Sequence, residues 1–290
     1  MKINLELLLK APLLHFSDER MGTMQVARTM KYNYNNKYID VPVLTGNAFR
    51  GELRRIAMND YLKAIGIEEE GISAKLYYTL FTGGALTSGS RFTEIAKKRE
   101  MRKMCPPLSL FGTAIGDQIP EGKLKVSIFK PICKELNEYN NKKSEISFYE
   151  MLQDIFYTRR DDLKSKDANI TDETKNENAQ QMKYEVQGLS AGTVLEGNVI
   201  IENSNEIEEA CLYSILEQFK KSPFIGGKSA TGHGEVDMHQ DMQGETEKYY
   251  KFLEENKKEI RNWIREVEAD LWWHCTKNNY IHIMRGNKTI

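Results

Sequence analysis

Two arginines and an amide side chain lie where a short apolar run gives way to a helical pattern. In the stretch PVLTGNAFRGELRR, Arg50 and Arg54 are four residues apart, so a helix places them on one face, with Arg55 beside them. Thr45 or Asn47 can cap the start of this helix. A helix N-terminus offers free N–H groups, and guanidinium groups suit phosphate. The stretch is typical of a phosphate site, although an ordinary strand–turn–helix with a solvated basic face has the same pattern.

A glycine-rich loop near residue 230 has side chains of similar chemistry. The stretch FIGGKSATGHGEVDM carries Lys228, Ser229 and His233 between its glycines. Glycine lets a backbone approach a ligand closely. The spacing differs from the GxxxxGK[ST] of nucleotide-binding P-loops, so the loop indicates no more than a generic phosphate contact.

A third basic stretch, residues 97–103, has five basic residues in seven positions and ends before Pro106 and Pro107. Such a run contacts phosphates in nucleic-acid-binding proteins. A solvated helix face has the same composition, so the pattern alone leaves both interpretations open.

The composition is that of an ordinary globular protein whose charge is unevenly distributed. The 290 residues are 40% hydrophobic and 29% charged, with a formal net charge of −1. Residues 1–130 carry 20 basic and 13 acidic side chains, and the rest carry 21 and 29. This asymmetry favours one basic working surface, or copies stacked head to tail. Without a membrane span, a signal-peptide pattern or a CxxC pair, we expect a cytoplasmic protein with no membrane partner, metal or cofactor.

Six segments have a clear apolar period, which predicts an α+β fold. In chain order they are a strand at 2–10, a helix at 47–65, strands at 122–130 and 193–201, a helix at 206–221 and a strand at 233–238. This β-α-β-β-α-β order is that of the ferredoxin-like, RRM-like fold. The open antiparallel sheet of this fold is a common platform for RNA.

Large insertions separate these elements within a domain predicted to span residues 1–244. They fall at about 11–41, 66–121 and 131–187. The first is interpreted as a long loop or hairpin. Within the last, residues 161–180 have no aromatic side chain and predict a flexible, solvent-exposed arm. A helix over 245–275 is predicted in a C-terminal extension, 245–290.

The arginine-rich turn, the element order and the loop GGKSATGHG together resemble the RAMP superfamily of CRISPR-associated proteins. Within it, HFSDERMGTMQVARTMKY, TRRDD and YEVQGLSAGTVLEG resemble the backbone subunit of multisubunit effector complexes, most closely that of type IV systems. The resemblance covers roughly residues 1–240. It implies an RRM-like palm with a finger region and a thumb at about 155–187. It also implies that copies of the chain form a helical filament along a guide RNA (crRNA), together with other effector subunits. The guide RNA then pairs with target DNA or RNA.

The resemblance also implies which side chains contact the guide, as a non-catalytic subunit would. Together with the local chemistry it leads us to expect RNA contacts from Arg20, Arg28, Lys31, Asn47, Arg50, Arg54, Arg55, Arg159, Arg160, Lys228, Ser229 and His233. Tyr157 and Met182 are candidates for the thumb residue that wedges the guide.

Two enzymatic alternatives follow from the same resemblance. Related type III backbone subunits cut target RNA with a metal and an aspartate after the first strand, and Asp18 is the candidate here. The plain alternative is an ion pair of Asp18 with Arg20 or Arg28. Guide-processing relatives use a histidine as general acid or base, for which His15 or His233 is available.

Overall fold

A computed structural model describes residues 1–67, 71–86, 95–116, 119–160 and 181–269 of the protein. In chain order its strands are β1 (Lys2–Leu9), β2 (Phe16–Met21), β3 (Met24–Ala27), β4 (Thr29–Tyr34), β5 (Lys37–Pro42), β6 (Gly84–Leu86), β7 (Ala114–Gly116), β8 (Leu124–Val126), β9 (Lys130–Pro131), β10 (Leu152–Arg160), β11 (Gln181–Leu189), β12 (Val194–Ile201) and β13 (Val236–Gln240). Its helices are α1 (Gly46–Ile65), α2 (Ala74–Tyr77), α3 (Ile95–Met104), α4 (Pro106–Phe111), α5 (Phe148–Met151), α6 (Glu206–Lys221), α7 (Glu247–Glu255) and α8 (257–269). A π-helical turn, Tyr78–Thr82, continues α2.

The central sheet has the strand order β13-β1-β12-β8, with every neighbouring pair antiparallel. The first strand therefore lies between two late strands, and Leu5 pairs with both Gly197 and Gln240. Helix α1 connects β1 to β8, and α6 connects β12 to β13. This is the predicted β-α-β-β-α-β order, so the α+β, RRM-like prediction is confirmed.

One face of this sheet packs on α1 and α6. Alternate residues of β1 point into the core, as expected for a half-buried strand. Phe49 of α1 packs between the Phe129 ring, 4.8 Å away, and the Phe219 ring of α6, 5.3 Å away. These ring contacts join both helices to the sheet.

The opposite sheet face is a poor platform for RNA. Glu6 pairs in register with Glu196, and Asp237 pairs with Leu8, so three carboxylates share this face. The segment around Asn141 covers part of it, because the Asn141 N–H donates to the Glu196 carboxylate. The Glu6 carboxylate is paired with Lys142, so this face is partly covered and its charge partly compensated, and it offers little of the open basic surface that RNA binding needs.

The first insertion forms two β-hairpins, which extends the predicted loop or hairpin. Strands β4 and β5 join through Asn35 and Asn36, whose φ angles of 50° and 62° suit a tight hairpin turn. Strands β2 and β3 form the other hairpin, and β3 adds to a ribbon made by β10 and β11. The ribbon is antiparallel along its whole length. The predicted arm at 161–180 lies outside the described residues.

The C-terminal extension packs on the same core and is not one continuous helix. A turn at Asn256 separates α7 from α8. Arg261 of α8 donates to the Ile65 and Gly66 carbonyls at the end of α1, both at 3.4 Å. Residues 270–290, with the predicted end of this helix, lie outside the described part.

The structure can also be compared with the sequence for membrane-spanning helices and for the cysteines. Among the described residues, no helix is long and apolar enough to cross a membrane. Cys105, Cys133 and Cys211 are free thiols in the core. Cys275 lies beyond the described chain.

Candidate nucleic-acid interface

The glycine-rich loop is fixed against the segment that precedes β2. The Gly227 N–H donates to the Leu14 carbonyl at 2.7 Å, and the Gly234 N–H donates to the Pro12 carbonyl at 2.9 Å. Gly234 has a φ of +74°, and a Cβ there would lie 1.9 Å from the Ile225 carbonyl oxygen. Because no other residue fits so close an approach, this glycine sets the path of the loop.

Side chains of this loop contact aromatic rings of the ribbon. The Lys228 Nζ lies 3.6 Å from the centroid of the Tyr157 ring and 5.9 Å from that of Tyr184. Tyr157 and Tyr184 are directly opposite in the β10–β11 register, so both rings lie on one ribbon face. The Tyr157 hydroxyl and His233 Nε2 share a hydrogen bond. We call these four side chains the loop–ribbon cluster.

A pocket of about 330 Å³ opens beside this cluster, between the β2–β3 hairpin, β11 and the glycine-rich loop. Its lining combines two cations, one carboxylate, one aromatic ring, two uncharged polar groups and one apolar residue, from Arg20, Thr23, Gln25, Tyr184, Glu185, Val186 and Lys228. Cations bind phosphates, and a tyrosine face stacks on a nucleobase. The pocket thus offers contacts to both parts of a nucleotide. The cluster and the pocket together are called the loop–ribbon surface.

Several predicted RNA contacts meet at this surface. Arg20 reaches it from β2 and Lys228 from the loop, with Ser229 exposed next to Lys228. Tyr157, a predicted wedge, is engaged by Lys228 and His233 at the ribbon base. It therefore joins the loop to the ribbon in this structure.

Three further predictions fall partly outside the described structure. The backbones of Arg159, Arg160 and Met182 lie in the ribbon, where Arg159 pairs with Met182. Their side chains lie outside the described part of the chain, so their predicted contacts remain predictions.

Both candidate catalytic histidines have structural partners. His233 is bound through Nε2 to Tyr157, and its Nδ1 is buried with no hydrogen-bond partner among the described residues. The Nε2 of His15 accepts from the Thr45 N–H at 3.4 Å and lies 3.1 Å from the Thr45 hydroxyl. Burial and the positive charge of Arg28 lower the pKa of His15 to about 4. His15 is therefore neutral at physiological pH, which suits an acceptor at the start of α1.

The start of α1 is built as the sequence predicts, but little of it is open. Thr45 is the N-cap, and its hydroxyl oxygen accepts from the Ala48 N–H at 3.4 Å. Gly46 is buried, and a Cβ there would lie 2.4 Å from the Val126 carbonyl oxygen. Asn47 is exposed in the first turn and remains available to a ligand.

Arg54 is buried in this structure, so its predicted RNA contact stays a prediction that the side chain's surroundings do not favour. Arg54 is only 5% exposed, and it donates to the Leu80 carbonyl and, at 2.9 Å, to the Thr79 carbonyl. Burial, with the nearby charge of Arg50, lowers its pKa to about 10, so it stays charged at neutral pH. Its donors serve the insertion that follows α1.

Arg50 has a similar structural role. Its Nη2 donates to the Phe111 carbonyl, and its guanidinium lies 5.6 Å from the centroid of the Phe111 ring. Burial lowers its pKa. Arg50 and Arg54 therefore attach two parts of the insertion at 66–121 to α1, and the phosphate contacts predicted from their spacing stay predictions.

The other predicted cations differ in their surroundings. Arg55 is exposed and forms an ion pair with Glu52 one helical turn away. Lys31 is exposed on β4, in register with Asp40 of β5. Both remain accessible, but they lie outside the loop–ribbon surface.

Arg28 and Asp18 form an ion pair at 3.1 Å, one of the two pairings considered for Asp18. The Nε of Arg28 also donates to the Phe16 carbonyl at 3.0 Å, so Arg28 bridges the β2–β3 hairpin. The Asp18 side chain is 94% exposed. Among the described residues, no group of three or more His, Cys, Asp or Glu side chains is arranged to hold a metal ion.

Sequence reasoning missed Tyr184 and Gln25 as parts of the surface. Gln25 pairs with Val186 where β3 meets β11, and this pairing brings the first hairpin to the ribbon. The aromatic residues on both sides of 161–180 were a signal that two strands could pair there. The β3 pairing had no comparable signal, since it joins segments about 160 residues apart.

Comparisons with known proteins show what this chain resembles. No protein-family model matches the chain, and no curated protein matches it. Among solved structures, a chain from a structure described as "Type IV-B CRISPR Complex" matches with a TM-score of 0.61. Sequence identity is 20%, and the match covers 84% of this chain and 93% of that one. At this identity the likeness shows a shared fold.

Proposed function

We propose that this chain is a non-catalytic backbone subunit of a CRISPR effector ribonucleoprotein, most like that of type IV systems. It binds guide RNA through the loop–ribbon surface and assembles with copies of itself along that RNA. Other effector subunits complete the complex, and the bound guide pairs with target DNA or RNA. The fold shared with a chain of a type IV-B CRISPR complex supports this proposal.

The observation that carries the proposal is the combination of cations with aromatic rings at one surface. Arg20, Tyr184 and Lys228 come from three separate segments and line the same pocket. Proteins that bind single strands commonly join a cationic groove to rings on which bases stack. Contacts of this kind hold a strand without reading its sequence, as a guide-binding subunit requires.

The contacts of the candidate catalytic groups also fit a binding role. Asp18 forms an exposed ion pair with Arg28. His15 is neutral and bound to Thr45, and His233 is bound to Tyr157. The two histidines thus have structural partners, and Asp18 has an exposed ion pair.

The proposal is tested by expressing the chain with its own CRISPR array and sequencing the RNA that co-purifies. We expect array-derived RNA of uniform length on a regular assembly. The double variant Lys228→Asn/Tyr184→Leu should lose most of this RNA, because it removes a cation and a stacking ring from the surface. Asparagine suits position 228, where φ is 58°.

A matched control is Lys125→Asn/Tyr38→Leu, which changes an exposed lysine and an exposed tyrosine elsewhere. It should retain the RNA. If both double variants fold and retain the same RNA as the wild-type protein, the loop–ribbon surface is not the guide site.

A further inference from the structure

Helix α3 presents a strongly basic face outside the loop–ribbon surface. Met101 and Met104 are buried and anchor the helix to the core. Arg99 and Lys103 are exposed, and Lys98 is half-buried. We call these three cationic side chains the basic face of α3.

The basic face of α3 differs from several other cationic positions because, in the described part of the chain, its side chains form no ion pair. Lys125, Lys142 and Lys248 each form an ion pair with a glutamate. In contrast, Lys98, Arg99 and Lys103 have no carboxylate partner among the described residues. Helix α3 carries five basic side chains and one carboxylate, exposed Glu100, so an excess of positive charge remains that favours an anionic ligand.

The residue types on α3 indicate which anion it would bind. The helix IAKKREMRKM has no aromatic residue, so it offers no ring for an unpaired base. Single-strand sites commonly combine cations with rings, whereas a duplex hides its bases and presents phosphates. Residues four apart on a helix are separated by about 6 Å along its axis, a distance that suits neighbouring phosphates. A phosphate-only face fits a duplex better than a single strand.

The position of α3 separates it from the loop–ribbon surface. The Met104 carbonyl, at the end of α3, accepts from the Tyr61 hydroxyl at 2.9 Å. Tyr61 lies roughly 24 Å along α1 from Thr45, at about 1.5 Å per residue. Thr45 is next to His15, and the glycine-rich loop is bound to Leu14. The loop–ribbon surface therefore lies nearer the start of α1, and the basic face of α3 lies nearer its end.

We propose that the basic face of α3 binds the phosphate backbone of a nucleic-acid duplex, independently of sequence. This inference goes beyond guide binding and does not require it. The chain would thereby hold a double-stranded segment at a second surface while a single strand occupies the first.

The test measures binding of a short labelled DNA duplex to the purified chain by fluorescence anisotropy, from about 50 to about 200 mM salt. The variant Lys98→Gln/Arg99→Gln/Lys103→Gln removes the proposed contacts. The control Lys125→Gln/Lys142→Gln/Lys248→Gln removes the same charge from ion-paired positions. Melting temperatures verify that both variants fold, and Arg99→Gln alone replaces the triple variant if it does not.

We expect the α3 variant to bind the duplex at least about tenfold more weakly at low salt, and the control to bind nearly as well as the wild type. The salt slope should fall by about 0.9 for each lost contact. Binding of a labelled single-stranded RNA should not change. The proposal is overturned if the wild-type chain does not bind the duplex, if the two triple variants behave alike, or if single-strand binding falls as much as duplex binding. Guide loss in the loop–ribbon variant is a separate result, so failure of either proposal can be recognised.

Discussion

The loop–ribbon surface and the basic face of α3 are both cationic, but their charges have different neighbours. At the first, the Lys228 ammonium lies over the Tyr157 ring, and Arg20 lines a pocket with Tyr184. At the second, Arg99 and its neighbours are on a helix without rings. The difference teaches that net charge alone does not indicate the ligand. Rings beside the cations favour an unpaired strand, and cations alone favour phosphates.

The largest effect is expected for a residue that belongs to neither surface. Arg54→Ala should lower the free energy of unfolding by about 3 kcal/mol, because the Leu80 carbonyl loses its Arg54 donor, the Thr79 carbonyl keeps only the Thr113 hydroxyl, and the buried side chain leaves a void. Arg55→Ala, at an exposed ion pair, should cost less than about 1 kcal/mol. Urea denaturation measures both. If Arg54→Ala were as stable as Arg55→Ala yet lost RNA, Arg54 would have to be counted as a binding residue.

Replacing one aromatic ring, that of Tyr184, tests the difference between the loop–ribbon surface and the basic face of α3. Tyr184→Leu should weaken single-stranded RNA binding roughly 10- to 100-fold, since one stacked base contributes about 1–3 kcal/mol. Duplex binding should stay the same, because the basic face of α3 has no ring. Titrations of the two labelled ligands at equal salt give both affinities, with Tyr38→Leu as the control. An equal loss for both ligands would remove the distinction between the surfaces.

A smaller effect on stability is expected from pH, through His15. This residue follows Leu14, whose carbonyl holds the glycine-rich loop. The pKa of His15 is lowered to about 4 in the folded state from an unfolded value of about 6.5. The unfolded chain therefore takes up the proton first, and stability that is complete above pH 6.5 is lost as the pH falls towards 4. Thermal melts across this interval should show a smaller loss for His15→Asn than for the wild type.

The exposed His239 provides the control for this pH effect. His239→Asn should follow the wild-type pH profile. If His15→Asn follows that profile too, His15 does not contribute to the acid sensitivity.

The smallest effect is expected at Asp18. Asp18→Asn removes an exposed ion pair with Arg28 and should change stability by less than about 1 kcal/mol. RNA incubated with Mg²⁺ should be equally intact with either protein. Cleavage by the wild type that is absent in the variant would revive the nuclease alternative and give this part of the chain a third function.

The sequence allowed the palm to be predicted because each of its elements has a strong local pattern. The α6 prediction matches the observed Glu206–Lys221, with its acidic first turn and basic end. The β4–β5 hairpin was less evident, yet Asn35 and Asn36 are a recognisable hairpin turn between aromatic and β-branched residues.

The candidate site was harder to predict because it depends on long-range contacts. Arg54 precedes Met58 by four residues and Tyr61 by seven, so it lies on the buried stripe of α1. The sequence prediction gave more weight to the spacing of the arginines than to this stripe. The contact of Lys228 with Tyr157 joins a loop and a ribbon about 70 residues apart. No short-range pattern in the sequence predicts this contact.

The central position of β1 has a consequence for synthesis of the protein. Among the described residues β1 pairs with β12 and β13, which follow it in the chain by about 200 residues, as in Lys2 with Ile200. Until those strands emerge, the apolar residues Ile3, Leu5, Leu7 and Leu9 have no sheet to join. Such a topology folds slowly, and its nascent chain is prone to aggregate or to need a chaperone. The loop–ribbon surface is also assembled late, because its glycine-rich loop lies between α6 and β13 and follows both ribbon strands in the chain.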